Sequence, residues 1–241
     1  MPKTLVIRRE GRKYRAYVAC EVEKPEPLPA TEKAVGIDLG ITALVVTSEG
    51  DLVDNERLLA KNQERLGRAQ RLVAGRRRGS ARRRKAAEAV GAAHRRIARA
   101  RRDAHHKLSR ALVERYDLIV HEDLKVANMV RRPRPLPDGA GGFAPNGAAA
   151  KSGLNREIHS AGWGVLLRMI AYKAAEAGRQ VIAVDPRHTS QTCHSCGAVD
   201  AGSRAGVVFR CTACGHADHA DVNAARNILG AGLALRLERA A

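Results

Sequence analysis

The sequence predicts an α/β protein: a mixed sheet with an inserted arginine-rich helical hairpin and a four-cysteine ribbon. Three observations carry that expectation. Short apolar runs at Lys33–Thr47, after Asp117 and at Val181–Val184 alternate with helical spacing, the pattern of strands joined by crossovers. Glu56 to Arg110 holds nineteen Lys and Arg against four Asp and Glu. Two Cys-x-x-Cys pairs, Cys193/Cys196 and Cys211/Cys214, stand fourteen residues apart.

The 241 residues are enough to bury a core, and the net charge of +18 points to an acidic polymer as partner. Most of that charge lies in the Glu56–Arg110 window. Aromatics are only 3% of residues, too few for base-stacking platforms, so the window reads as a grip on phosphates along a duplex. A solvated helical hairpin would mix its charge signs, which this one barely does. No apolar run approaches the roughly eighteen residues of a membrane span, and no apolar core follows the N-terminal basic residues. The expected location is the cytoplasm.

In chain order, residues 4–22 predict a β-hairpin around Gly11, and Glu23–Ala30, with three prolines, an extended linker. Two strands with a tight turn follow over Lys33–Thr47, and Leu52–Val53 adds a third, antiparallel strand. On the first strand Val35, Ile37 and Leu39 share one face, and Gly36, Asp38 and Gly40 the other. A carboxylate between two glycines fits either a metal held beside a bulky anion or a surface Asp in a loose hairpin. Residues 55–74 have helical spacing with Leu58, Leu59, Leu66, Leu72 and Val73 inward, Gly75–Lys85 breaks it, and a longer helix runs from about Arg82 to Arg115. Its stripe of Ala86, Val90, Ala93, Ile97, Ala100 and Ala104 fits close antiparallel packing. His105 and His106 on this helix read as packing or phosphate-facing residues.

The run after Asp117 predicts a buried central strand ending in two acids, Glu122 and Asp123. Residues 131–153, rich in Pro, Gly and Ala, predict a mobile loop, either a lid, a path for a nucleic-acid strand or a plain insertion. A helix over Asn155–Ala177 stops at Gly178, and the strand Val181–Val184 completes a parallel crossover.

Each cysteine pair is followed by glycine, Gly197 and Gly215, as zinc knuckles require, and Gly202–Arg210 supplies a connecting hairpin. Four thiolates close a structural site, so His194, His216 and His219 read as contacts or bystanders rather than ligands. A disulfide pair or a redox pair is the competing account. Cys20 has no assigned role. The last helix opens at His219-Ala-Asp-Val-Asn, where Asp221 taken alone is most simply an N-cap.

The order "VGIDLGI", arginine-rich hairpin, "IVHEDL", "SAGWG", "TSQTCHSCG", "FRCTACG" and "DVNAARNI" closely resembles the TnpB family from about Lys33 to Gly230. Those are transposon-encoded RNA-guided DNA nucleases, also labelled transposases, related to type V CRISPR effectors. The resemblance implies a RuvC or RNase H-like fold with a zinc ribbon. It places Asp38, Glu122 and Asp221 on the catalytic carboxylates, which take Mg²⁺ or Mn²⁺, and the four cysteines on the zinc ligands. Asp123 and Asp218 are the nearest competitors for two catalytic positions. Guide RNA and target DNA are the implied partners, with Arg76, Arg77, Arg78, Arg82, Arg83, Arg84 and Lys85 as nucleic-acid contacts. The implied division is 1–32 as a remnant hairpin and linker, 33–188 as nuclease core with a helical insertion at 55–115, 189–217 as ribbon, and 218–241 as last helix and tail. Family members carry a further N-terminal half, of which about thirty residues correspond here.

Three functions compete: an RNA-guided endonuclease or its catalytic core, a non-catalytic nucleic-acid binder, and an unguided structure-selective nuclease similar to Holliday-junction resolvases. The first two share a prediction. Affinity for duplex should fall by about 0.9 log unit per log unit of salt for each phosphate neutralised, and a salt titration giving a flat line would remove the phosphate grip.

Overall fold

The computed structural model describes residues 2–11, 13–23 and 26–239. Lys24 and Pro25 of the predicted linker, and Met1, Ala240 and Ala241 of the predicted end segments, lie outside them. The chain divides into two compact units, one of residues up to Glu26 with Arg57–Lys107, the other of Pro27–Glu56 with Leu108 onward.

In the first unit β1 (Pro2–Glu10) and β2 (Lys13–Cys20) form the antiparallel hairpin around Gly11. Glu10 pairs with Arg15 at 2.7 Å and with Arg99 at 2.6 Å, tying the hairpin to a long helix. The helix expected over 55–74 is two: α1 (Leu58–Lys61) and α2 (Gln63–Ala74). Asn62 divides them, because its side-chain amide donates to the Leu58 carbonyl at 2.8 Å and competes with helical bonding. Leu66 is buried, whereas Leu72, expected inward, is exposed. The turn after α2 leads into α3 (Ala81–Arg115), which continues into the second unit from Leu108. Ser80 caps α3 by accepting from the Arg83 N–H at 3.1 Å. Of the small-residue stripe Ile97 is buried and Ala86, Val90, Ala93 and Ala104 are half-buried, but Ala100 is exposed.

The second unit is built on a five-stranded sheet. Its strands are β3 (Ala34–Asp38), β4 (Ala43–Thr47), β5 (Leu52–Asp54), β6 (Leu118–Glu122) and, later in the chain, a strand at Gln180–Val184. Between the last two lie α4 (Val126–Met129), a two-residue pair β7 (Leu136–Pro137) and β8 (Phe143–Ala144), α5 (Ala148–Ala161) and α6 (Trp163–Glu176), so that Gln180–Val184 is β9. The order is β5-β4-β3-β6-β9, with β3, β6 and β9 parallel and β4 and β5 antiparallel additions.

Two expectations change here. The segment 131–153 is not wholly irregular: the Asp138 carboxylate accepts from the N–H groups of Ala140 and Gly142, closing the β7–β8 turn, and the alanine run at Ala148 starts a helix early. The helix expected over Asn155–Ala177 is broken at Gly162, whose φ of 70° is left-handed and which ends α5 and begins α6 at once.

Strand alternation divides the core. Val35, Ile37 and Ile119 face a cluster with Leu112, Val113, Ile158, Leu166 and Ile170, which come from α3, α5 and α6. Leu118, Val120, Ile182 and Val184 face Ile228 on the last helix, α7 (Ala220–Glu238). That helix lies directly on the sheet. A Cβ placed on Gly36 would meet the Ala225 carbonyl oxygen at 2.0 Å, and one on Gly232 the Val120 side chain at 2.4 Å. The glycine beside Asp38 therefore makes room for helix backbone, where the sequence had pointed to an approaching anion.

An ion pair between the buried Arg179 and the half-buried Asp117 fixes the start of β6. Asp117 meets Arg179 at 2.5 Å and accepts from the Thr31 N–H at 2.9 Å and the Glu32 N–H at 2.8 Å. Desolvation works against its charge, but these donors prevail and hold its pKa below the ordinary aspartate value. A carboxylate whose pKa falls on folding stabilises the fold above its unfolded value and stops doing so once protonated. The stability gap between the wild type and Asp117→Asn should thus be constant above about pH 5 and close below about pH 4. Gly36→Ala should cost about 3 kcal/mol or more in urea unfolding, since the atom it meets is backbone and cannot rotate away; a loss under about 1 kcal/mol would contradict the close packing.

Candidate functional site

Register decides which acids meet. Gly36 of β3 pairs with Val120 of β6 in a parallel ladder, so these residues share a face. Two residues on along each strand come Asp38 and Glu122, adjacent at the carboxyl ends and on the face that α7 covers. The crevice at the carboxyl ends of strands is where open α/β sheets bind ligands. α7 brings the third acid in its first turn. Asp221 is not the N-cap: that position is His219, whose Nδ1 accepts from the Asp221 N–H at 3.2 Å, so the Asp221 carboxylate is not taken up by capping.

The electrostatics register this convergence. Burial, then the charges of Glu122 and Asp221, push Asp38 up to about 7, against the opposing pull of Arg204. Glu122 is also raised, chiefly by burial, while Thr189 and Arg204 favour its charged form. Burial raises both Asp38 and Glu122, and a nearby cation would favour their charged forms. Hard carboxylate oxygens in such a cluster fit Mg²⁺ or Mn²⁺. The alternatives lie elsewhere. Asp123 is exposed and pairs with Lys125 at 2.5 Å, and Asp218 pairs with Arg226 at 2.5 Å.

Two residues of the site were given no role by the sequence, although Thr189 opens the motif before the cysteines. Arg204, from β10 (Arg204–Ala205), donates to Asp221 Oδ1 at 2.7 Å. The Thr189 hydroxyl donates to Glu122 Oε1 at 2.5 Å. Thr189 is itself held by α7: the Asn227 amide donates to the carbonyls of Thr189 (2.9 Å) and Thr192 (2.7 Å), and the buried Asn223 donates to Thr192 and accepts from the His194 N–H. Such residues act only through the fold, so local pattern could not expose them.

The cysteine module completes the site's surroundings. β10 pairs with β11 (Val208–Arg210), and β11 with β12 (Ala217–His219). Cys193, Cys196, Cys211 and Cys214 place their sulfurs within 4.8 Å of one another, with Cys193–Cys214 at 3.8 Å and Cys196–Cys211 at 3.6 Å. Tetrahedral zinc with bonds of about 2.3 Å sets sulfurs about 3.8 Å apart, so the donor set fits. Each knuckle closes through its glycine, the N–H of Gly197 bonding to Cys193 O at 2.8 Å and that of Gly215 to Cys211 O at 3.0 Å, with φ of 77° and 75°. The Cys214 N–H on its sulfur helps bring Cys211 down to about 6. At Cys196 the Ala198 N–H favours the thiolate, but the neighbouring sulfurs and burial push it up to about 12.

His194, His216 and Asp218 also lie within 4.8 Å of one another. Arg226 already occupies that cluster, with one guanidinium nitrogen 3.0 Å from His194 Nε2 and 2.5 Å from Asp218. A resident cation there agrees with reading the histidines as contacts. Of the basic residues expected to hold nucleic acid, Arg76, Arg77, Arg78, Arg82, Arg84 and Lys85 are exposed. Arg83 is half-buried and turned inward, donating to the carbonyls of Val73 at 2.9 Å and Arg76 at 3.1 Å to close the α2 end.

Comparison with known proteins agrees with this architecture. A family model described as a probable transposase matches residues 17–132, and one described as the Cas12f1-like TNB domain matches residues 163–228, across the cysteines and into α7. The fold resembles that in a cryo-EM structure of a Cas12f1–sgRNA–target DNA complex, with a TM-score of 0.56 at 16% identity, covering 92% of this chain and 55% of that one. The fold, then, is Cas12f1-like, and the first half of the chain matches a transposase model. In sequence it is 36% identical over 236 residues to a protein of Escherichia coli (strain K12) named as a candidate RNA-guided DNA endonuclease, InsQ, covering 97% of this chain and 57% of that protein. It is 39% identical over 236 residues to a similarly named protein of Streptomyces pristinaespiralis, covering 97% and 54%. The chain spans little more than half the length of these relatives.

Proposed function

We propose that the chain is the nuclease portion of an RNA-guided, divalent-metal-dependent DNA endonuclease of a transposon, with Asp38, Glu122 and Asp221 as its catalytic carboxylates. The observation that carries this reading is geometric. Asp38 and Glu122 stand side by side at the carboxyl ends of β3 and β6, and the first turn of α7 brings Asp221 near enough that, after burial, the charges of Glu122 and Asp221 raise the Asp38 pKa. A non-catalytic binder has no use for three acids crowded where phosphate would lie. The strand order β5-β4-β3-β6-β9 with a helix on each face supports a RuvC or RNase H-like core. The exposed arginines between α2 and α3 support a contact with the guide–target duplex. On this reading residues 1–32 are a remnant hairpin and linker, 33–188 the core with its helical insertion at 55–115, 189–217 the ribbon, and 218–241 the last helix. Reduced thiols in the cytoplasm would hold a structural zinc.

Mg²⁺ or Mn²⁺, when bound, supplies the activated water and the charge stabilisation at the leaving oxygen that in-line phosphodiester hydrolysis needs. The chain's part is positioning. Thr189 orients Glu122, α7 delivers Asp221, and Arg204 is a cation from the ribbon placed beside the acids, able to turn towards a phosphate.

The test is cleavage of labelled DNA by the chain purified with its co-expressed RNA, in Mg²⁺. Asp38→Ala and Asp221→Ala should abolish cutting while Asp218→Ala retains it. Thr189→Val should lower the rate about 10- to 100-fold, as loss of a ligand's supporting partner does, and Thr189→Ser should restore it. Tight binding with no metal-dependent cutting would favour the non-catalytic binder instead.

A further inference from the structure

The charged face of α5 belongs to none of the sites described so far. Lys151, Ser152, Asn155, Arg156 and His159 recur at helical spacing and line one cleft of about 510 Å³ together with Arg132 from the segment after α4. Acidic residues are missing from that lining. Glu157, the acid of α5, lies two positions from Asn155 and so about half a turn around the helix, on the other side. The cations are therefore sorted onto one face, where a solvated helix would intersperse both signs. Arg132, Arg156 and His159 are exposed and Lys151 is half-buried.

Asn155 adds a second, different signal. Its Nδ2 donates to the Val130 carbonyl at 2.7 Å, which fixes the amide, while its Oδ1 is buried with no hydrogen-bond partner among the described residues. A buried acceptor of this kind calls for a donor. A phosphate has none, but a ribose 2′-hydroxyl does.

We propose that this face of α5 binds the sugar–phosphate backbone of a single nucleic-acid strand, with Arg132, Lys151 and Arg156 on phosphates and Asn155 on a sugar hydroxyl. The cleft is of small-ligand size, which matches a short length of one strand's backbone. The stripe from Lys151 to His159 extends about 12 Å along the helix, enough for more than one phosphate. Beside Val130, Pro133 and Ala148 the lining is polar or charged, with no Phe, Tyr or Trp to stack on a base, so the protein touches backbone and does not read sequence. None of these residues is among the arginines between α2 and α3 or the three acids. The strand path shares only the nucleic-acid partner with the proposed function.

Binding without cleavage tests it. The full chain, in EDTA, is titrated with labelled single-stranded RNA and DNA of the same short sequence over a range of salt. In the variant Arg132→Gln/Lys151→Gln/Arg156→Gln the slope of log affinity against log salt should fall by about 2, since each phosphate of a single strand that is no longer neutralised removes roughly 0.7. Glu157→Gln, on the opposite face, should leave the slope unchanged, and the exposed Arg156→Glu alone should weaken binding if the triple variant folds poorly. A change for RNA, alone or with DNA, upholds the proposal, with RNA bound more tightly and the preference reduced in Asn155→Ala. A change for DNA alone assigns the strand to DNA and removes the role given to Asn155. Unchanged slopes for both strands would overturn the proposal, and since no cutting is measured, that outcome leaves the nuclease reading standing.

Discussion

The structure depends on how closely α7 lies on β3 and β6. Hydrogen replaces a side chain at Gly36 and Gly232, and at Gly36 the helix carbonyl of Ala225 comes within 2.0 Å of where a Cβ would stand. Parallel register sets Asp38 beside Glu122. A helix held this close adds Asp221 from 99 residues beyond Glu122. Glycine within a strand weakens it locally, so the loss is borne for what the backbone approach brings together.

The cysteine module is part of the site's frame. It is inserted between β9 and α7, two elements that the core already fixes. Arg204 reaches Asp221 from its first strand, and the loop entering it carries Thr189 to Glu122. Asn223 and Asn227 of α7 clasp the same loop. Whatever locks the four sulfurs therefore also sets the positions of two groups that touch the acids.

What the sequence disclosed follows from the range of each interaction. The knuckles were legible because two thiols within one Cys-x-x-Cys turn and a following glycine are local requirements, as were the strands, whose apolar alternation is short-range. Helix breaks at Asn62 and Gly162 were not, since apolar spacing continues across both while a side-chain hydrogen bond or a left-handed residue interrupts the backbone. Asp221 alone looked like a cap. Its neighbour His219 caps instead, and the acid's position becomes intelligible only once α7 is placed on the sheet. Arg204 and Thr189 lie 17 and 67 residues from the acids they touch, beyond any local pattern.

The central claim is that three carboxylates form one divalent-ion pocket. Anomalous scattering from crystals of the chain soaked in Mn²⁺ addresses it most directly. The expected result is density for one or two ions within bonding distance, about 2.1 Å, of oxygens from Asp38, Glu122 and Asp221, with Arg204 displaced from Asp221. Fully occupied Mn²⁺ elsewhere on the chain, with these three carboxylates still bare at high metal concentration, would contradict it.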